Sequence, residues 1–226
     1  MKTKKVFLVL NIIFLIAIVI GNILYFTVGG TKTETSLCFA TLGLINLAYA
    51  VLRKTKNIKV PVAMAVGLVL AMLGDITIDG NFVVGAGLFA LGHIGFFVAY
   101  CLGGKFGKWD AILSTALFSG AGCFVLFSPI HTFDVPVFKW VCLAYALIIS
   151  LMVGKAVGNL IREKNLPNIL FAIGSCLFFF SDLMLVFDWF TRAGSWSGFL
   201  CMGTYYPAQC FLSHAVYHFV NKNTEE

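Results

Sequence analysis

Two aspartates, Asp75 and Asp182, stand inside runs of aliphatic and aromatic residues long enough to cross a bilayer. A carboxyl in hydrocarbon costs roughly 2.5–3.5 kcal/mol on insertion scales, and ionisable groups at that depth usually mark functional sites. Apolar packing has no use for them. His93 lies in the run that follows Asp75, and Tyr205, Tyr206 and Gln209 lie in the run that follows Asp182. Such a set can do two kinds of chemistry. Two carboxyls in different surroundings can divide the roles of proton donor and base, or they can hold a proton or a cation in transit through the membrane. The plain alternative is that each Asp only hydrogen-bonds a neighbouring helix and fixes the packing.

The spacing favours one shared pocket. Ala63, Gly67 and Ala71 recur every four residues and lead to Asp75, a row that lets another helix approach closely and aims Asp75 at protein. Ser175, Phe178 and Asp182 share a helix face. At 1.5 Å per residue, both Asp lie roughly 22 Å from the start of their runs, while His93 and Tyr205 enter from the opposite side to about mid-membrane. Tyr205 and Gln209 are one turn apart, and Tyr206 reaches the same side. Pro207 cannot donate to the carbonyl of Gly203, so the last run should bend there. Asp79 and Asp188, at the ends of the two Asp-bearing runs, are either solvated or a rim that meets a headgroup amine. His214 and His218 have metal-compatible spacing, but their depth separates them from both Asp, and histidines at the interface are the simpler reading. Ser181 directly precedes Asp182 and points elsewhere, which argues against a Ser-His-Asp triad. The sequence has no glycine-rich phosphate loop, GxSxG elbow or CxxC pair.

The elements that must hold these groups are transmembrane helices. Sixty per cent hydrophobic residues against 12% charged, with a mean hydropathy of +0.94, excludes a soluble domain, in which about a quarter of residues are charged. Eight apolar spans can be drawn, each within the roughly 17–25 residues that a crossing helix needs. They are Val6–Thr27, Ser36–Leu52, Val60–Ile78, Phe82–Leu102, Ala111–Phe127, Val137–Val157, Asn168–Phe187 and Ser197–Phe219. Turn residues mark the short connections: Gly29-Gly30, Asp79-Gly80-Asn81, Gly103-Gly104, Ser128-Pro129 and Asn165-Leu166-Pro167. The expectation is one all-α polytopic bundle spanning residues 1–226, its first span a retained helix and not a cleaved signal peptide.

With eight spans, Lys32, Lys139 and Arg192 fall on one side and the other thirteen of the sixteen basic residues on the opposite side. The positive-inside rule then puts both termini in the cytoplasm. The net charge of +6 is thus topology and attraction to anionic lipid, with no nucleic-acid surface. The seven cysteines form no CxxC pair and read as buried thiols. The order Gly74-Asp75 then His93, and Ser181-Asp182 then Tyr205, reads either as a parallel repeat of two four-helix halves or as two Asp that coincide in place.

GDITIDGNFVVGAGLFALGHIGFFVAY, FFFSDLMLVFDWF and TYYPAQ together resemble the motifs of the YhhN-like membrane family, which includes the lysoplasmalogenases. The resemblance covers most of the chain. Two departures stand out: Phe96 where the family often has Tyr, and Asp79 where it often has an aliphatic residue. The resemblance implies a hydrolase of the lysoplasmalogen vinyl-ether bond that releases a fatty aldehyde and a glycerophospho-base without a cofactor or metal. It carries over Asp75, Asp182, His93, Tyr205, Tyr206 and Gln209 as site residues, the first three read as catalytic and the others against a lysophospholipid substrate, while Asp79 and Asp188 are added as an outer rim from their places at the helix ends alone. Vinyl-ether cleavage needs a protonated acid beside the double bond and a negative charge to stabilise the oxocarbenium ion, roles that paired carboxyls divide in glycosidases. The rival readings are a small proton-coupled transporter or lipid-binding protein built on the same carboxylates, and a metal-dependent amidase or ester hydrolase. The absence of an N-x-Ser/Thr sequon favours a bacterial cytoplasmic membrane.

Overall fold

A computed structural model describes residues 2–30, 32–128, 132–133, 135–191 and 195–224. Pro129 of the expected Ser128-Pro129 turn and Arg192 of the charge count lie outside these described residues. Among them, eight α-helices and no strand are found: α1 (Lys2–Val28), α2 (Lys32–Leu52), α3 (Lys59–Ile78), α4 (Phe82–Gly103), α5 (Lys108–Phe127), α6 (Pro136–Arg162), α7 (Leu166–Phe190) and α8 (Ser195–Lys222). The helices fall on the eight expected spans. The largest differences are at α6, which runs five residues further, to Arg162, and at the Asn165-Leu166-Pro167 turn. There Asn165 caps α7 by accepting from the Asn168 amide at 3.0 Å, while Leu166 and Pro167 already belong to the helix. Proline suits this first turn because the missing N–H has no intrahelical partner there.

Helices α1 to α7 are each long and apolar enough to cross a membrane. Their outer faces carry the side chains that a lipid environment tolerates, including Ile12, Ile16, Val66, Leu91 and Ile112. Helix α8 is less apolar because it is the helix most enclosed by others, touching α1, α2, α3 and α7. Its Tyr205, Tyr206, Gln209 and Ser213 are all buried. It continues through Pro207. Helix α1 is the opposite case, with only Asn11 and Ile18 buried.

The packing follows an offset of four helices. Helix α3 packs along α4 as α7 does along α8, α2 along α3 as α6 along α7, and α1 along α2 as α5 along α6. Two cross-contacts, α2 with α8 and α6 with α4, close a ring of six helices. Polar pins follow the same plan. Asn46 of α2 donates to the Ser213 carbonyl of α8 at 2.8 Å, and Asn159 of α6 donates to the Tyr100 carbonyl of α4 at 2.9 Å. Beside the second pin, the fully buried Lys155 ammonium reaches the carbonyls of Gly104 and Lys105, Asn159 Oδ1 and Asp110 Oδ2. This buried cluster, in which Arg162 also pairs with Asp110 at 2.8 Å, ties the α4–α5 connection to α6, and loss of the Asp110 carboxylate would leave the buried Lys155 charge uncompensated.

The small-residue row meets α4. A Cβ on Gly67 would fall 2.4 Å from the Phe96 ring and 3.0 Å from the Gly92 carbonyl, and one on Gly85 would fall 2.5 Å from Ile78 Cα. The helix backbones approach this closely only because glycine has no Cβ.

Candidate active site

Asp75 and Asp182 occupy the same rank, each the seventeenth residue of its helix counting from Lys59 and Leu166. Both are buried. Oδ2 of Asp75 accepts from Ser36 Oγ at 2.5 Å and from the Tyr205 hydroxyl at 2.8 Å. Oδ2 of Asp182 accepts from the Tyr145 hydroxyl at 2.7 Å, with His93 Nε2 at 3.1 Å. Each carboxylate therefore takes one partner from the helix that precedes its own (α2 or α6) and one from the last helix of the other half (α8 or α4). His93 Nε2 is also 2.7 Å from the Tyr145 oxygen. Since Tyr145 gives its proton to Asp182, a proton on Nε2 completes a chain from His93 through Tyr145 to Asp182, while Nδ1 is buried without a protein partner. In both carboxyls the bonds converge on Oδ2 and leave Oδ1 as the oxygen available to a substrate.

The two carboxyls face one small cavity of about 30 Å³, which Lys32, Phe89, Leu185 and Tyr205 also line. That is room for a water molecule or two. A second cavity of about 60 Å³ lies among α4, α5, α6 and α7 and is lined almost wholly by apolar side chains such as Phe82, Val125, Val141 and Phe179. Its polar residues are Tyr145 and Asp182. Asp182, Phe89 and Leu185 line both cavities. A polar chamber and an apolar slot thus adjoin at one carboxyl. Phe178 separates the two donor sets, its ring 4.5 Å from that of His93 and 5.1 Å from that of Tyr205.

The sequence-predicted residues divide into two groups. Asp75, Asp182, His93 and Tyr205 come together in the hydrogen-bonded core of the site. Tyr206 is buried beside Tyr205 but donates to the Lys32 carbonyl at 3.3 Å, and does not line the chamber. Gln209 is fully buried near the Tyr205 hydroxyl, yet neither amide atom meets a protein partner in hydrogen-bond geometry. Asp79 pairs with Lys32 at 2.9 Å, and Asp188 accepts from Ser197 at 3.0 Å. Both lie at the helix ends where the rim was expected. His214 and His218 bond each other at 3.1 Å, with Asn11 as the further neighbour of His214. Among the described residues, no three His, Cys, Asp or Glu side chains gather as a metal-ligand set.

Three residues that bond the carboxyls or line the chamber were missed. Tyr145 is a lone tyrosine in the apolar run of α6, Ser36 looks like the start of a span, and Lys32 looks like a topological charge. The only signal that could have found Tyr145 is the internal repeat, because α6 stands to Asp182 as α2 stands to Asp75.

Residues 35–216 match the model of the YhhN family. No curated protein and no solved structure matches the chain.

Proposed function

The chain belongs to the YhhN family, and from that premise we propose that it is a membrane-embedded hydrolase that cleaves the vinyl-ether bond of lysoplasmalogens. The products are a fatty aldehyde and a glycerophospho-base. The observation that supports this most is the junction of the two cavities at Asp182, with Asp75 across the polar one. An alkenyl chain in the apolar slot puts the β-carbon of the double bond on the Asp182 side, and the ether oxygen and glycerol on the Asp75 side. Asp182 is then the acid. It transfers a proton to the β-carbon, the π electrons form the new C–H bond, and positive charge develops on the carbon next to oxygen. Asp75 stabilises that cation and takes a proton from the water that attacks it. The resulting hemiacetal collapses as its hydroxyl proton leaves and the C–O bond to glycerol breaks, with the glycerol oxygen taking the proton that Asp75 had accepted from water. One water is consumed, and the chain from His93 through Tyr145 carries the hemiacetal hydroxyl proton back to Asp182, so both carboxyls regain their starting states. Asp188 stays at the rim as a headgroup contact, and Tyr206 packs its ring beside that of Tyr205.

The same reading takes all eight helices across the bilayer as two parallel four-helix halves, with both termini in the cytoplasm of a bacterial cell. The thirteen-to-three split of basic residues and the offset-of-four packing support it.

Asp75→Asn and Asp182→Asn test the chemistry. Each should lower aldehyde release in detergent by about 10²–10⁴-fold, the range for losing a general acid or base, while the purified protein stays monodisperse and helical. Full activity in both variants would defeat the assignment. Carboxylates midway along paired half-bundles also suit a proton-coupled transporter. Turnover without a membrane gradient separates the two readings, since a transporter releases no aldehyde.

A further inference from the structure

The chemistry above leaves one end of the polar chamber unused. Lys32, the first residue of α2, lines the chamber with Asp75 and Asp182. Its Nζ lies 2.9 Å from both Oδ1 and Oδ2 of Asp79. The Lys32 side chain is 22% exposed and that of Asp79 is 64% exposed, so the pair stands at the mouth with the lysine on the inner side. Among the described residues, Lys32 is the only lysine or arginine that lines either cavity. Its place is fixed by the site itself: its carbonyl accepts from Tyr206 and lies 2.9 Å from the Ser36 hydroxyl, which donates to Asp75. A cation here is unusual for the chain, since basic residues are concentrated at the opposite end. Lys139, another of the three at this end, instead gives its ammonium to the Leu126 carbonyl at 3.0 Å.

We propose that Lys32 and Asp79 are the headgroup site, in which Lys32 takes the phosphodiester and Asp79 the ammonium of a zwitterionic single-chain phospholipid. An ion pair this open to solvent holds little stability, so parting it costs little. A zwitterion replaces one internal pair by two cross-pairs and leaves no charge unmatched. The order of the groups suits the lipid's connectivity, because the phosphate then sits at the chamber's mouth while the glycerol points toward Asp75. The choice of lipid rests on the hydrolase reading, but the test does not depend on turnover.

The experiment measures calorimetric binding of two saturated ether lipids, neither of which has a double bond to cleave, to the full-length protein in detergent. One is a 1-O-alkyl-glycerophosphoethanolamine and the other the matching 1-O-alkylglycerol. The wild type should bind the phospholipid at least tenfold more tightly. Lys32→Gln should remove that preference and leave alkylglycerol binding and the melting temperature unchanged, while Lys32→Arg keeps it. Asp79→Asn should keep the preference for phosphate but bind the phosphoethanolamine no better than a 1-O-alkyl-glycerol-3-phosphate. A wild type without preference overturns the proposal. So does a Lys32→Gln variant that binds both lipids as before, or that weakens both equally, as a mere strap between α2 and α3 would. If the binding pattern holds while no vinyl ether is turned over, the headgroup site stands and the hydrolase reading falls.

Discussion

Tyr145 is where residue chemistry and sequence reading part most clearly. Its hydroxyl stands between His93 and Asp182, donating to the carboxylate and lying 2.7 Å from Nε2 of the ring. It also lines the apolar slot, so it can act without taking part in headgroup binding. Tyr145→Phe removes one oxygen, keeps the ring, and breaks the hydrogen-bonded chain through which we propose that Asp182 is recharged. We expect kcat for aldehyde release to fall by about 10²-fold with KM within about twofold, the pattern of a group used in the reaction and not in ground-state binding. An equal rise in KM would make Tyr145 a wall of the slot. Ser36 plays the matching part for Asp75, although its hydroxyl is anchored back to Lys32 and has no ring beyond it. The two carboxyls are thus similar in rank and different in supply, which is the difference that acid and base roles require.

At the scale of the element, the α3–α4 pair sets how near His93 comes to the opposite half. Gly67, Gly85 and Gly92 let the two backbones close up, and the contact at Gly85 is backbone against backbone, so neither side can give way. Gly85→Ala gains helix propensity worth up to about 1 kcal/mol, but overpacking costs about 1–3 kcal/mol. With Ile78 Cα at 2.5 Å, overpacking should win. The melting temperature in detergent should drop, and aldehyde release should drop with it as His93 is displaced. Gly87, two residues along, has nothing within 4 Å of a built Cβ and is exposed. Gly87→Ala should therefore leave activity alone and hold or slightly raise the melting temperature. Equal behaviour of the two variants would show that propensity, and not the close approach, governs this helix. The small-residue row was readable in the sequence at Ala63, Gly67 and Ala71, because a four-residue period is a property of one helix. Its partner was not, since α4 shares that period with most of the chain.

For the whole molecule, the number of crossings decides the sidedness. If α8 spans as α1 to α7 do, single cysteines placed near Lys2 and Thr224, in a variant whose native thiols are replaced, should be labelled only from the cytoplasm. A cysteine at Gly80 should be labelled only from outside. Labelling of the two termini from opposite sides would leave seven crossings and break the charge argument. The offset-of-four packing makes eight the self-consistent number, because α8 fills beside α7 the place that α4 fills beside α3. The sequence by itself determined the helices, their bounds to within a few residues, the membrane class and the two carboxyls, because hydropathy and the high cost of a charge in hydrocarbon are local properties. Tertiary structure alone decided that Asp75 takes Tyr205 and Asp182 takes His93, each across the two halves. It also brought Ser36, Tyr145 and Lys32 into the site and joined the two cavities at one carboxyl. Those facts join residues 37 to 130 positions apart, and the apolar periods of eight similar helices say which face is covered without saying by which neighbour.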